Sequence, residues 1–424
     1  MLLNTVALCN LGCSKNIVDG EYLLQYLQAK GMKAVEEYEE ADCIVVNTCT
    51  FIQEATQEAI DSILEMAHLK KDGRLKKLIV SGCFSERYRQ RVQSEFSEVD
   101  HWIGVHSWKE ELDLIFPAST APALYRTLSE PLGTQYLKTG EGCSHNCAFC
   151  IIPSVRGPFK SRPEDEIIAE GRWLYEQGAR ECILVSQDTS RYGRDRDSTL
   201  SRLLERMLGE TDFPWIRMMY LHPAYVDDTL LRLVASEPRI CSYFDIPLQH
   251  IADPVLKGMK RHPLGAGTRA LVERIRTLVP DAAIRSSFIV GFPGETQRDF
   301  EELLSFVEQS RFERLGVFPF SPEEGTVAAT LRPRPRTSTA QQRCETLMEL
   351  QQSISRELCE RHVGKELEVF IDEIGEGPYN FEARTQWDAP EVDGKVLIRS
   401  GSYAPGSFAR VRIVDADDHD LYAE

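Results

Sequence analysis

From Thr5 to Phe116, short apolar runs alternate with stretches whose apolar residues recur at helical spacing. "TVALC", "DCIVVNTC" and "KKLIVSGC" read as buried strands, with "DGEYLLQYLQAKG" and "FIQEATQEAIDSILEMAHLKK" as helices between them. That alternation predicts a parallel sheet with helices on its faces. "FPASTAPALYRTLSEPLG" breaks the pattern with Pro, Ala and Ser, so residues 117–134 read as a linker. Over 135–359 the alternation resumes, with strands at "YLKTG", "ECILVSQD", "WIRMMYLHP", "SYFDIPLQH", "AIRSSFIVGFPG" and "RLGVFPFSP". The repetition predicts a full or partial β/α barrel, with reactive groups just beyond strand C-termini. From 360 to 424 the period shortens to two, in "ELEVFIDEI", "FEARTQ", "GKVLIRS" and "FARVRIVDAD". These strands, separated by Gly and Pro turns, predict a small antiparallel β-barrel. The fold class is therefore α/β, with domains at 1–116, 135–359 and 360–424.

Composition narrows the setting. A chain of 424 residues exceeds one ordinary core. No run approaches the roughly 20 apolar residues of a membrane span. "MLLNTVALCNLG" lacks the basic start and apolar run of a signal peptide, so a cytoplasmic chain without a membrane partner is expected. The net charge of −17 repels a polyanion and suits a basic protein partner. The last domain concentrates this acidity, with 15 Asp and Glu against 7 Lys and Arg from Glu360 onward. Asp415, Asp417 and Asp418, and also Glu373, Glu376 and Asp393, read as exposed acids able to recruit such a partner.

Twelve cysteines in a reducing compartment favour metal binding or catalysis over disulfides. Cys182, Cys241, Cys344 and Cys359 lie singly within strand or helix patterns and read as small buried hydrophobes. Cys9 and Cys43 carry no assignment. "EGCSHNCAFCIIP" places Cys143, Cys147 and Cys150 on one tight loop. Three thiolates leave one iron of a four-iron cube without a protein ligand, and an open position marks a catalytic site. Structural zinc would want a fourth ligand, and His145 is cramped between Cys143 and Cys147. Cys13, Cys49 and Cys83 each follow a strand of the N-terminal domain. Strand C-termini of a parallel sheet share one edge, so these thiols converge and predict a second cluster. A non-catalytic carrier or scaffold is the rival class, but ferredoxin-type carriers use four cysteines per cluster.

C-x3-C-x2-C with Phe149 before its last cysteine resembles the radical S-adenosylmethionine superfamily. The whole chain resembles the methylthiotransferases through "LGCSKN", "NTC", "SGC", "GCSHNCAFCIIPSVRG", "LVSQDTSRYG", "IPLQH", "SFIVGFPGET" and "FPFSPEEGT". The resemblance implies two 4Fe-4S clusters, two molecules of S-adenosyl-L-methionine and a C-terminal barrel of the TRAM type. Cys143, Cys147 and Cys150 would hold the cluster that generates a 5′-deoxyadenosyl radical; Cys13, Cys49 and Cys83 would hold the one that carries sulfur. All six would be catalytic, and the two open irons would face each other across the substrate.

Family members act on an adenosine of transfer RNA or on an aspartate of a ribosomal protein. "LGCSKNIVDGE", with Lys15 before Asn16, "CIIPSVRG" and "APEVDGKVLIRS" resemble the ribosomal branch. Ser14 stands where that branch commonly has proline, and Pro158 in "RGPFKSRP" fits neither branch. The implied reaction is methylthiolation at the β-carbon of an aspartate in a basic small-subunit ribosomal protein. The alternative is transfer RNA, which the acidic barrel disfavours. A flavodoxin- or ferredoxin-type donor would supply electrons. Ser186, Gln187 and Asp188, and similarly Gln249 and Arg285, are expected past strand C-termini, contacting the cofactor or supporting groups that do. "GFPGET" reads as a strand-to-helix turn, and His250 and His262 as hydrogen-bonded structural residues.

Overall fold

The computed structural model describes residues 3–116, 125–129 and 133–424. Most of the stretch read as a linker, 117–124 and 130–132, lies outside the described residues. Two compact units result: residues up to 130 with 141–145 and 150–159, and residues 131–140, 146–149 and 160–424.

In the first unit the strands are β1 (Thr5–Asn10), β2 (Lys33–Ala34), β3 (Cys43–Thr48), β4 (Lys77–Gly82) and β5 (His101–Trp102). Helices α1 (Ser14–Ala29), α2 (Gln53–Lys71), α3 (Cys83–Val92) and α4 (Trp108–Ile115) connect or follow them. All pairings are parallel, in the order β2-β1-β3-β4-β5. This is a doubly wound order whose switch point lies between β1 and β3. The strand period of two sorts the core onto both faces. Ile44, Val46, Leu78 and Val80 pack with Ala59, Ile63 and Met66 of α2, while Val45 and Ile79 pack with Leu23 and Leu27 of α1. Cys9 belongs to the first cluster and Cys43 to the second. Burial pushes the Cys43 thiol up to about 12, so both act as small hydrophobes.

The second unit begins with β6 (Thr134–Lys138) and the first residue of the two-residue β7 (Gly140–Glu141). α5 (Ile152–Arg156), in the first unit, precedes β8 (Lys160–Ser161). Then follow α6 (Glu164–Glu176), β9 (Glu181–Val185), α7 (Leu200–Glu210), β10 (Trp215–Met218), α8 (Asp228–Ser236) and β11 (Tyr243–Asp245). α9 (Asp253–Gly258), α10 (Gly265–Leu278), β12 (Ala283–Val290), α11 (Gln297–Ser310), β13 (Arg314–Pro319) and α12 (Thr337–Glu360) complete the run. Parallel sheets β10-β9-β6 and β11-β12-β13 meet through the bridge Ile216–Ile240 and the Leu221 N–H to Asp245 carbonyl bond of 2.8 Å. Among the described residues no pairing joins β13 to β6, so the barrel is partial.

Strands β14 (Glu366–Ile374), β15 (Phe381–Arg384), β16 (Val396–Ile398), β17 (Phe408–Ala416) and β18 (Leu421–Ala423) close a small barrel. It is antiparallel except where β16 lies beside β18. Its outer side seats on the N-terminal ends of the partial barrel's strands. Trp215 of β10 stacks edge-on to Phe408 at 4.9 Å, with Phe370 at 6.1 Å. Beside these rings, Glu181 of β9 bonds Arg217 of β10 at 2.7 Å and Arg384 of β15 at 2.8 Å. Arg217 also donates to the Gln386 carbonyl at 2.8 Å, and Arg314 of β13 to Asp388 at 2.9 Å. Burial alone would raise the Glu181 carboxyl, but Arg384 and Arg217 bring it down to about 2. Asp393, expected on the surface, has its side chain covered here. It accepts from Tyr243 Oη at 2.6 Å and pairs with Arg285 at 3.3 Å. Asp417, expected as an exposed acid, is held in place: it accepts from the His419 and Asp420 N–H groups and from Tyr422 Oη.

Among the described residues no helix is long and apolar enough to cross a membrane.

Candidate iron–sulfur and cofactor site

The three N-terminal cysteines follow strands β1, β3 and β4 at one edge of the parallel sheet, and two of their turns pass through glycines with no room for a side chain. Gly12, after β1, has φ +93°, and a Cβ on it would stand 2.4 Å from Cys49 Cβ and 3.0 Å from its Sγ. The turn carrying Cys13 therefore lies directly against Cys49, which follows β3. Gly82 ends β4 with φ +91° and packs so tightly on the Thr48 carbonyl that a Cβ would approach it to 2.5 Å. Cys83 is the next residue and opens α3. Asn16 donates to the Leu11 carbonyl at 2.5 Å and the Thr48 carbonyl at 3.3 Å, and Asn47 donates to Asn10 at 2.7 Å and the Asn16 carbonyl at 2.8 Å. These amides, which the sequence presents only as members of "LGCSKN" and "NTC", brace the loops.

The thiols sense one another and a shared cation. Burial raises Cys83 to about 11, against the pull of Arg156. Burial and the neighbouring Cys13 raise Cys49. Cys13 is lowered: the surrounding protein would raise it by desolvation, but Lys15 and Arg156 outweigh that at a side chain that stays exposed. Arg156, from α5, donates its Nε–H to Cys83 Sγ at 3.1 Å. Its other nitrogens bond Asp19 at 2.6 Å and Asn16 Oδ1 at 3.0 Å.

Among the described residues no three His, Cys, Asp or Glu side chains gather closely enough for a single metal ion. An iron–sulfur cluster instead takes each thiolate on a different iron and asks for wider spacing. Three soft donors at one edge, with a cation beside them, fit that group.

The second set follows β6. Gly142, at φ +74°, packs under the carbonyls of Arg156, Gly157 and Pro158, so a Cβ would come within 2.7 Å of each. This is where Pro158 sits. The Cys143 N–H donates to the Gly157 carbonyl at 2.9 Å, tying the loop's start to its end. The Ala148 N–H donates to the Met259 carbonyl at 2.9 Å, and its carbonyl accepts from the Ala328 N–H at 2.7 Å. Arg261 lies 3.8 Å from Cys147 Sγ and donates to the Pro247 carbonyl at 2.5 Å. Sequence reading singled out neither Arg261 nor Arg156 as a site residue, although Arg156 stands inside the quoted "CIIPSVRG".

Ser186 follows β9 and is buried, its N–H donating to Thr189 Oγ1 at 3.1 Å. Asp188, also buried, accepts from Ser190 Oγ at 2.6 Å, and Gln187 lies half-buried between them. Gln249 follows β11 at φ +72°, bridged to β12 through the Ser287 carbonyl at 2.8 Å and the Ile289 N–H at 2.8 Å. These four share the C-terminal side of the strands. Arg285 does not. It is the third residue of β12, opposite Asp245, and its guanidinium is held by Asp245 at 3.1 Å and Asp393 at 3.3 Å. The strand begins only two residues before it, so it lies toward the end covered by the small barrel. His250 is buried, its Nδ1 accepting from the Ala252 N–H at 3.0 Å, in keeping with a structural role.

Three family models match: an uncharacterized protein family, UPF0004, over residues 5–104; the Radical SAM superfamily over 137–307; and the TRAM domain over 363–424. The ribosomal protein uS12 methylthiotransferase RimO of Pelobacter propionicus is 41% identical, across 99% of this chain and 97% of its own length. This chain belongs to the ribosomal protein uS12 methylthiotransferase family. The RimO of Clostridioides difficile is likewise 41% identical, across 99% of this chain and 98% of its own. As a family member, the chain is a radical S-adenosylmethionine methylthiotransferase. Among solved structures, the radical S-adenosylmethionine methyltransferase TsrM of Kitasatospora setae shares 14% identity with a TM-score of 0.57, covering 85% of this chain and 79% of that one. The radical enzyme OxsB shares 12%, with a TM-score of 0.52, covering 82% of this chain and 56% of its own. These likenesses show the shared fold.

Proposed function

We propose that this methylthiotransferase modifies the β-carbon of an aspartate in ribosomal protein uS12, using S-adenosylmethionine both as methyl donor and as radical source. The observation that carries the reading is the full-length likeness to uS12 methylthiotransferases, at 41% identity over 99% of the chain. Cys143, Cys147 and Cys150 would hold one 4Fe-4S cluster and Cys13, Cys49 and Cys83 a second. Bound there, the clusters supply reducing electrons and open iron positions for the cofactor and for sulfur. The chain's own residues set the conditions. Gly12, Asn16 and Asn47 hold the N-terminal thiols on one rim; Arg156 and Arg261 place positive charge beside thiolates. Ser186, Gln187, Asp188 and Gln249 offer hydrogen-bonding groups on the cofactor side of the strands. Arg285 serves the opposite end. Electrons come from a flavodoxin- or ferredoxin-type donor.

The test is anaerobic reconstitution followed by assay on uS12 with a reductant and S-adenosylmethionine. Cys143→Ala/Cys147→Ala/Cys150→Ala should lose about half the iron and all 5′-deoxyadenosine formation. Cys13→Ala/Cys49→Ala/Cys83→Ala should keep 5′-deoxyadenosine formation and lose methylthio transfer. Mass spectrometry should place the methylthio group on one aspartate of uS12; its appearance on transfer RNA instead would overturn the substrate assignment.

A further inference from the structure

Arg156 follows Cys150 by six positions, yet its side chain is committed to the other cysteine set. Only 5% of that side chain is exposed. A buried guanidinium is costly unless its nitrogens are paired. Here Nε reaches Cys83 Sγ at 3.1 Å, one terminal nitrogen reaches Asp19 at 2.6 Å and the other Asn16 Oδ1 at 3.0 Å. Asp19 and Asn16 lie on α1, just after Cys13. The planar fork thus spans the turn after β1 and the turn after β4, the segments that carry two of the three thiols. The Asp19 and Asn16 contacts fix the plane of the guanidinium, so the Nε–H is aimed at sulfur by the rest of the fork. A lysine has the charge but not this geometry.

We propose that Arg156 is a positioning residue for the N-terminal cluster, bonding the Cys83 thiolate, holding that ligand in place and making the cluster easier to reduce. The proposal rests on the reading that Cys13, Cys49 and Cys83 carry a cluster. Hydrogen bonds to the sulfurs and nearby net charge set cluster potentials. A cationic donor stabilises the form carrying the extra electron, so its loss moves the potential to more negative values. Groups that orient a ligand also govern metal retention, typically by 10–100-fold. The segment that carries Cys150 therefore ends in the residue that tunes the other cluster.

The experiment uses the full chain with Cys143, Cys147 and Cys150 replaced by alanine, so that only the N-terminal cluster is observed. Into it go Arg156→Gln and Arg156→Lys, with folding checked by circular dichroism. Redox titration followed by electron paramagnetic resonance reads the midpoint potential, and a chelator reads the rate of iron loss. Arg156→Gln should shift the potential to more negative values and release iron roughly ten times faster or more. Arg156→Lys, which keeps the charge that pairs with Asp19, should fall between; it carries the test if the glutamine variant does not fold. Wild-type potential and iron release in the folded variants, or a shift to more positive potential, would overturn the proposal. If the parent variant with Arg156 intact binds no iron at all, the cluster assignment itself fails, and Arg156 is not what failed.

Discussion

At Gly12 the backbone turns with φ +93° while Cys49 stands so close that an added methyl would overlap its Cβ at 2.4 Å. Two separate penalties meet there. A side chain at positive φ costs about 1–3 kcal/mol, and the overlap forces the Cys13 turn away from Cys49. Gly12→Ala should therefore leave the fold standing but cut iron in the N-terminal set, measured as a loss of up to about half the total iron. Formation of 5′-deoxyadenosine should persist. Full iron content in the variant would mean that the turn can shift without disturbing the thiols. The placement of Cys13, Cys49 and Cys83 beyond strand ends, and of Cys143, Cys147 and Cys150 on one loop, was legible from sequence because each sits just beyond an apolar run or within one compact motif. Arg156 was not, because its partners Cys83, Asp19 and Asn16 lie 73, 137 and 140 positions away. No local pattern encodes a contact made across that distance.

Among the elements, strands and helices followed their hydrophobic periods closely, and the partial barrel and the small barrel both appeared where alternation placed them. What the periods left hidden is how the strand ends are occupied. Glu181, Arg217 and Arg285 are charged residues inside apolar strands, a pattern that reads as an interruption until β15 supplies Arg384 and the following loop supplies Asp393. Arg285 was expected near the cofactor, but its place at the start of β12 puts it toward the covered end. Glu181→Gln removes the anion between two buried cations, and breaking such a pair costs about 3–5 kcal/mol. The pH dependence has a definite sign. The folded carboxyl lies at about 2 against an ordinary 4.5, so its stabilisation is complete above about 4.5 and is lost as pH falls toward 2. Melting curves at one scan rate should show wild type well above Glu181→Gln at pH 7, with the gap narrowing between pH 4.5 and 2. A constant gap through that range would mean that Glu181 does not titrate with the network.

For the molecule as a whole, the charge of −17 is not spread as composition alone suggested. Asp372, Asp388 and Asp393 are engaged by arginines within the second unit. The acids left exposed on the small barrel include Glu366, Glu368, Glu373, Glu376 and Asp415. These are the groups able to steer a basic protein. Glu373→Lys/Glu376→Lys/Asp415→Lys should raise the KM for uS12 roughly tenfold at low salt, with the difference closing as salt rises. Substrate-free 5′-deoxyadenosine formation should not change. An unaltered KM at low salt would remove electrostatic recruitment by this barrel. The seat of that barrel on the strand ends also has a temporal side. Arg384 is synthesised 203 residues after Glu181, so at 5–20 residues per second a nascent chain waits about 10–40 s for it. Throughout that interval Trp215 and the Glu181–Arg217 pair lack their cover. The growing polypeptide then presents an uncapped apolar and charged surface to solvent, a natural point for a chaperone to engage until translation delivers the barrel.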